Sequence, residues 1–156
     1  MPGGPPLRLA LLALGLLAGS GAEGVQPATG PVDVPAPAVD AVTASACRAL
    51  VAALPEEVDP GVTRRPVSGD AGRTAAWGDP PVTLTCGVPA PDRPEEPVVV
   101  NGVAWSVRDI GAGFRWTTRD REVLVAVDVP DAYENGAEIV NPLSGPVASA
   151  FPSVAP

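Results

Sequence analysis

The stretch A-W-G-D-P-P-V-T-L-T-C-G, residues 76–87, decides how this chain folds, because it joins a turn, a strand and a cysteine. Its Gly-Asp-Pro-Pro corner predicts a turn, since the residue before a proline is pushed towards an extended conformation. After the corner, Val82, Leu84 and Cys86 alternate with threonines, which predicts a strand with one apolar face. We therefore interpret the stretch as a structural clasp rather than as an active site.

The other cysteine belongs to a predicted helix over residues 43–54. Cys47, Leu50, Val51 and Leu54 recur at i, i+3, i+4 and i+7, which places them on one apolar stripe of a helix. Thr43 is the expected N-cap, and the proline at position 55 ends the helix. Residues 56–72 are expected to form a polar connection with turns.

Alternating apolar segments after residue 97 predict antiparallel strands. Asn101-Gly102 tolerates positive φ at both positions of a two-residue turn, so it predicts a hairpin that pairs Val100 with Val103. Further strands are expected near residues 114–117 and 122–130. We predict an α+β fold: an antiparallel sheet of four to five strands, covered by the N-terminal helix. Because Pro142 and Pro146 interrupt the last helical pattern, only a short C-terminal helical segment is expected.

The N-terminus has the pattern of a secretory signal peptide. Arg8 precedes an apolar run of ten residues, 9–18, and the small residues Ser20 and Ala22 follow. A membrane-spanning helix needs about 20 apolar residues, so this run is short for a span. We expect a signal peptide over residues 1–22, cut after Ala22; the alternative is an uncleaved segment that anchors the protein. Ser20 replaces the cysteine that a lipid anchor requires, so no lipidation is expected.

The domain organisation follows from where proline and alanine concentrate. Residues 23–41 are predicted to be a disordered Pro/Ala-rich linker, residues 42–148 a single α+β domain, and residues 149–156 a disordered tail. In an exported chain, two cysteines that face the same core predict a disulfide between Cys47 and Cys86. The alternative is a pair of free buried thiols.

Composition argues against most catalytic chemistry. The 156-residue chain has a net charge of −8, no histidine and no lysine. An acidic chain without a basic stripe is not expected to bind nucleic acid. Without histidine and lysine, catalytic triads, most zinc sites and Schiff-base chemistry are excluded. We expect a protein that is not an enzyme and has no cofactor or metal; a hydrolase with paired carboxylates is the alternative.

Three residues are candidates for ligand binding: Trp77, Trp105 and Arg115. Trp77 is expected to pack in the core beside the disulfide, and its alternative role is a stacking platform for a sugar or an aromatic ligand. Arg115 lies between two aromatic residues in sequence but on the opposite face of its strand. It is expected to pair across strands with Asp128, and the alternative is bidentate binding of an anion.

The ordered segments A-C-R-A-L-V-A-A-L-P, A-W-G-D-P-P-V-T-L-T-C-G-V, V-N-G-V-A-W and F-R-W-T-T-R-D-R-E-V-L-V-A-V-D-V-P together resemble a known family. It is a family of small exported actinobacterial proteins, domain of unknown function 3515. The resemblance runs from about Cys47 to Leu143. It implies an extracytoplasmic address and cell-envelope biology, and it transfers no catalytic residue.

The expected function is that of a non-catalytic extracytoplasmic protein of the cell envelope, an accessory or binding module. One alternative is a domain that binds a small ligand or a wall fragment through Trp77, Trp105 or Arg115. A second is the carboxylate hydrolase. A third is a membrane-held partner of a divisome or wall-synthesis protein. The partner expected for the module is a cell-envelope protein or a wall component.

Overall fold

The computed structural model describes residues 3–4, 24, 26–93 and 95–155. The predicted signal peptide lies outside these residues, except for positions 3 and 4, and so does its cleavage site at Ala22. No helix within the described residues has the length and apolar character to cross a membrane. The elements in chain order are β1 (Val32–Asp33), α1 (Ala41–Ala53), β2 (Glu57–Asp59), β3 (Val62–Arg65), β4 (Val67–Ser68), β5 (Thr74–Trp77), β6 (Val82–Val88), β7 (Val98–Val100), β8 (Val103–Asp109), β9 (Gly113–Thr118), β10 (Leu124–Pro130) and α2 (Gly136–Ala150).

The main sheet has eight strands in the order β2-β3-β5-β6-β10-β9-β8-β7, and every pairing in it is antiparallel. A separate parallel pair joins β1 to β4. The predicted hairpin is confirmed, because Val100 pairs with Val103 and both turn residues, Asn101 and Gly102, have positive φ. The α+β class and the antiparallel sheet are therefore as the sequence predicts.

The predicted number of four to five strands is wrong, because the sheet also contains β2, β3 and β5. β2 and β3 are short and bury only Val58 and Val62, so their sequences show little alternation of apolar and polar residues. β5 is buried on both faces and therefore has no alternation at all. Its outer residue Ala76 packs against Val32 and Val34 from the N-terminal segment, a contact between distant parts of the chain.

Helix α1 begins at Ala41, two residues before the predicted start. Asp40, rather than Thr43, is the N-cap: its carboxylate accepts a 2.7 Å hydrogen bond from the backbone amide of Thr43. This hydrogen bond from the first turn of the helix holds the pKa of Asp40 below its usual value. The apolar stripe is as predicted, with Cys47 and Leu50 fully buried against the sheet.

Helix α2 is one continuous helix of 15 residues, so the predicted short C-terminal segment is wrong. A proline inside a helix costs about 3 kcal/mol. Burial of each large aliphatic side chain contributes about 1.5–3 kcal/mol. Four such side chains of α2 lie in the core, namely Ile139, Val140, Leu143 and Val147. Their burial outweighs the cost of Pro142 and Pro146.

The arrangement of the helices also differs from the prediction, in which the N-terminal helix alone covers the sheet. Both helices pack on the same face of the sheet and against each other. α2 contacts β2 and β7, which are the two edges of the sheet, so the sheet curls around this helix. The opposite face, which we call the outer face, carries no helix among the described residues.

The folded part of the chain extends beyond residues 42–148. Val32 pairs with Val67, and Val32 and Val34 are buried, so the predicted linker over residues 23–41 contributes to the fold. In the predicted tail over residues 149–156, Phe151 is buried and Ser153 bridges to Arg121. In both cases the stabilising partners are distant in the chain, so no local pattern signals the contact.

The predicted disulfide between Cys47 and Cys86 is present, with sulfurs 2.07 Å apart and Cα atoms 5.7 Å apart. It joins α1 to β6 in the centre of the molecule, and both cysteines are fully buried. Trp77, which the sequence predicts to pack beside the disulfide, is not adjacent to it in the sheet. Its strand partner is Val82, four residues and roughly 13 Å of strand before Cys86.

Candidate functional site

The Gly-Asp-Pro-Pro corner holds the N-terminal segment against the sheet. Asp79 Oδ2 accepts a 2.8 Å hydrogen bond from the Ala28 amide. The Arg65 guanidinium donates to the carbonyl oxygens of Gly78 and Gly30, each at 2.8 Å. On the other side, the Tyr133 hydroxyl donates to the Pro80 carbonyl at 2.7 Å. The geometry of the corner is that of a clasp.

Gly78 occupies the one position of the corner where a side chain cannot fit. Its φ is +70°, and an added Cβ would collide with the Tyr133 hydroxyl and the Val62 side chain. Glycine is therefore needed for the close approach as well as for the backbone conformation. Burial raises the pKa of Tyr133, and the nearby Asp79 carboxylate raises it further.

Trp77 and Trp105 are both fully buried in the core between the sheet and the helices. The Trp77 indole N–H donates to the Pro55 carbonyl at 2.9 Å, and the Arg64 guanidinium lies 5.1 Å from the ring centroid. Trp105 Nε1 has no partner within the described part of the chain. A stacking platform needs an exposed ring face, and neither tryptophan presents one.

Arg115 forms the predicted cross-strand pair with Asp128. Its Nε and Nη2 atoms donate to the two carboxylate oxygens at 2.6 and 2.7 Å. This bidentate hydrogen bond raises the pKa of Arg115. The pair lies on the outer face of the sheet, away from both tryptophans, so the three candidate residues do not form one site.

The structure does place Arg115 in a groove on the outer face, with a volume of about 670 Å³. We call it the outer groove. A volume of this size falls within the range of about 300–1,000 Å³ that is typical of ligand pockets. The lining residues come from the floor of the sheet and from two crossing segments: Thr83, Thr85, Ser106, Arg108, Ile110, Arg115, Thr117, Ala126 and Asp128 on the floor, and Pro35, Ala36, Pro37, Val88, Pro89, Ala90, Pro91, Asp92, Arg93 and Glu95 in the walls.

Apart from Ile110, the floor consists of two neighbouring rows that cross four strands. In the first row, Ser106 is opposite Thr117, Thr117 is opposite Ala126, and Ala126 is opposite Thr85. We call it the hydroxyl row. In the second row, Arg108, Arg115, Asp128 and Thr83 are opposite one another in turn. We call it the charged row. The strands supply both rows because side chains two residues apart point to the same face.

Ser106 is the most unusual member of the hydroxyl row. It is 5% exposed, and its Oγ is buried without a hydrogen-bond partner among the described residues. A buried hydroxyl that lacks a partner costs about 1–3 kcal/mol. Such an atom in a groove marks a position where a further hydrogen-bonding group is favourable.

Two proline-rich segments form the walls of the outer groove. The connection from β6 to β7 must pass β10, β9 and β8, because β7 is at the sheet edge. Two arginines hold this connection to the sheet: Arg108 Nη2 donates to the Arg93 carbonyl at 3.3 Å, and Arg119 Nη1 donates to the Glu95 carbonyl at 3.1 Å. The other wall segment is Pro35–Pro37, which follows buried Val34 in the chain.

No single stretch of the sequence predicts this groove. The two rows of its floor lie on strands, but the hydroxyl row becomes visible only once the strand order is known. The available signal was the set of small polar residues at alternate positions of strands whose other face is apolar, as in Thr83 and Thr85. Among the described residues, no group of three or more potential ligands is arranged to hold a metal ion.

A family model described as "Protein of unknown function (DUF3515)" matches residues 7–156. The match covers the clasp, the disulfide, the helices and every residue of the outer groove. No curated protein and no solved structure matches the chain.

Proposed function

The chain belongs to the family described as Protein of unknown function (DUF3515), and on that premise we propose that it is a non-catalytic binding module acting outside the cytoplasm. The ligand-binding site is the outer groove, and the ligand is a small molecule or a short segment of a wall polymer. The cell envelope of an actinobacterium is the proposed setting, in line with the resemblance of the sequence.

The single observation that carries this proposal is the buried Ser106 hydroxyl in the floor of the groove. The fold gains nothing from this hydroxyl among the described residues, since Oγ has no partner there. Alanine at this position would avoid the desolvation cost, because it has no hydroxyl group. A polar group that costs stability in a groove of ligand size is typical of a binding site.

An address outside the cytoplasm is supported by the disulfide. Structural disulfides persist in oxidising compartments and are rare in the cytosol. The bridge between Cys47 and Cys86 is fully buried between helix and sheet, where it has a structural role. The predicted signal peptide supports the same address, with secretion after cleavage at Ala22 or attachment through an uncleaved N-terminal segment.

The absence of catalysis is proposed from the residues that line the groove. The chain has no histidine to act as a general base. Of the three acids in the groove, Asp128 is held by both oxygens in its pair with Arg115. Asp92 and Glu95 are exposed on the crossing connection. A hydrolytic pair needs one carboxyl group that stays protonated, usually by burial, and these exposed side chains do not supply it.

The experiment compares the wild-type chain with Ala126→Leu, which projects a larger side chain from the groove floor, and with Ala126→Ser as the matched control. Each protein is immobilised with its disulfide intact and exposed to a small-molecule extract of the producing cells. Bound molecules are then compared by mass spectrometry. We expect a compound that wild type and the serine variant retain and the leucine variant does not. Equal retention by all three proteins would contradict the proposal.

The address is tested separately, on the exported protein. Its intact mass is measured before and after reduction and alkylation of the unfolded chain. We expect a polypeptide that lacks residues 1–22, carries no lipid, and adds two alkyl groups only after reduction. Labelling of both cysteines without reductant would argue against an oxidising compartment.

A further inference from the structure

We propose that the ligand of the outer groove carries an anionic oxygen group, a carboxylate or a phosphate, which Arg108 binds. This inference rests on the proposed function and gives the ligand its chemical class. The two arginines of the charged row differ, because only Arg115 has a carboxylate partner among the described residues.

Arg108 and Arg115 are directly opposite each other on β8 and β9. Like charges at opposite positions of an antiparallel pair destabilise a sheet unless a counter-charge is present. Asp128 supplies one, and both of its carboxylate oxygens are used by Arg115. Asp128 is therefore the single carboxylate beside two neighbouring guanidinium groups. It binds Arg115 and does not bind Arg108.

The hydrogen bond that Arg108 makes is one that an anion can displace. Its Nη2 donates to the carbonyl oxygen of Arg93 at 3.3 Å, which is a long bond to a neutral acceptor. Bonds from guanidinium to an anionic oxygen are shorter and roughly twice as strong, and they are often bidentate. Within the described chain neither Asp92 nor Glu95 forms an ion pair with Arg108, although both line the groove.

The hydroxyl row places further hydrogen-bonding groups next to Arg108. Ser106 is two residues away on the same strand and face, at a distance of about 7 Å. Thr117 is opposite Ser106 on the neighbouring strand. A ligand with its anionic group on Arg108 therefore extends its neutral body over these hydroxyls, between the two proline-rich walls.

The net charge of the groove favours a single anionic group over a polyanion. Three arginines and three acids line it, so their charges cancel, and the whole chain is at −8. A polyanion would need several cationic partners in the groove floor, whereas one carboxylate or phosphate needs only the Arg108 guanidinium. Asp92 and Glu95 are on the crossing connection rather than in the floor. The positive charge that Asp128 does not neutralise is therefore confined to the floor, at Arg108.

The test uses sodium acetate and sodium phosphate as probes, added to the full chain at constant ionic strength balanced with sodium chloride. Backbone amide shifts are followed by NMR. We expect saturable shifts at Ser106, Arg108 and Thr117 with at least one probe; a preference for one of them identifies carboxylate or phosphate as the group. Arg108→Gln should weaken this binding by about tenfold, the loss expected for a charged hydrogen bond.

Arg48→Gln is the matched control, because it removes an equal charge from an exposed position on α1, on the other face of the sheet. It should leave probe affinity unchanged. If neither anion gives saturable shifts in the groove, or if both arginine variants lose affinity equally, the anionic ligand is wrong. The retention experiment with Ala126→Leu is independent of charge, so its outcome would still decide the proposed function.

Discussion

Asp79 accepts a hydrogen bond from the backbone amide of Ala28, 51 residues earlier in the chain. The bond joins the turn before β6 to the segment that leads to Pro35–Pro37 and so to one wall of the outer groove. The corner that first suggested a clasp therefore also positions part of the candidate site. Loss of the clasp is expected to affect the N-terminal segment before the rest of the fold.

Asp79→Ala removes the carboxylate that holds this segment. We expect a loss of about 1 kcal/mol or less in unfolding free energy, because the bond is exposed to solvent. Hydrogen exchange at the Ala28 amide should accelerate much more than exchange in β6. Asp131→Ala, which removes an exposed acid whose side chain accepts no hydrogen bond among the described residues, is the control. Unchanged exchange at Ala28 would show that the clasp is not formed in solution.

The disulfide is expected to be the largest single contribution to stability that one chemical step can remove. Cys47 and Cys86 are separated by 39 residues, for which the loop-entropy relation gives about 4 kcal/mol. Reduction should lower the urea midpoint by a large fraction of its value, since domains are stable by only about 5–15 kcal/mol. Urea titrations with and without reductant measure the difference. A midpoint insensitive to reduction of the bond would contradict its structural role.

Comparison of the two fully buried tryptophans measures how much an indole hydrogen bond contributes to the unfolding free energy. Trp77→Phe removes the bond to the Pro55 carbonyl and weakens the contact with Arg64. Trp105→Phe removes an N–H that has no partner among the described residues. Both changes remove the same atoms from a fully buried side chain, so Trp77→Phe should cost about 1–2 kcal/mol more in unfolding free energy. Equal losses in urea denaturation would show that the partner of Trp77 contributes nothing.

Ser106 and Ser144 allow the same comparison between a buried hydroxyl without a hydrogen-bond partner and one that has a partner. Ser106→Ala should raise the unfolding free energy of the ligand-free protein by up to about 1 kcal/mol, because the hydroxyl is buried without a partner. Ser144 donates to the Val140 carbonyl at 2.9 Å, so Ser144→Ala should lower it by about 1 kcal/mol. Thermal and urea unfolding measure both variants. If Ser106→Ala destabilises the protein as much as Ser144→Ala does, the hydroxyl is part of the structural hydrogen bonding.

Asp70 is expected to make stability depend on acid pH. The hydrogen bond from Arg73 holds the pKa of Asp70 below its ordinary value near 3.8. A carboxyl whose pKa is lowered by folding stabilises the native state above the unfolded pKa, and the contribution disappears as pH falls through the folded pKa. Wild type should therefore be more stable than Asp70→Asn at neutral pH, and the two should converge below about pH 4. A constant difference from pH 7 to pH 2 would contradict this role for Asp70.

Local patterns were sufficient for the features whose partners are close in sequence or fixed by alternation. The hairpin at Asn101-Gly102 follows from turn chemistry, and the pairing of Arg115 with Asp128 follows from strand alternation. The disulfide follows from two apolar faces that must meet in one core. Each of these inferences needs only a short window of sequence and one assumption about which faces are buried.

Local patterns failed where a distant part of the chain supplied the stabilising free energy. α2 continues through Pro142 and Pro146 because the curled sheet buries its aliphatic side chains, and no window around the prolines contains that sheet. β5 lacks alternation because Val32 and Val34 cover its outer side. Residues 23–41 look like a linker by composition, yet part of them is held by Asp79 and Arg65.

By itself, the sequence determined the α+β fold class, the covalent bridge between the two cysteines and the acidic composition without histidine. Tertiary structure alone decided that Ser106, Arg108, Arg115, Thr117 and Asp128 share one groove. The reason is that strand order is set by non-local pairing: β6 lies beside β10, and the connection between β6 and β7 crosses the face that the helices do not cover. A site whose residues come from rows across four strands has no signature along any one of them.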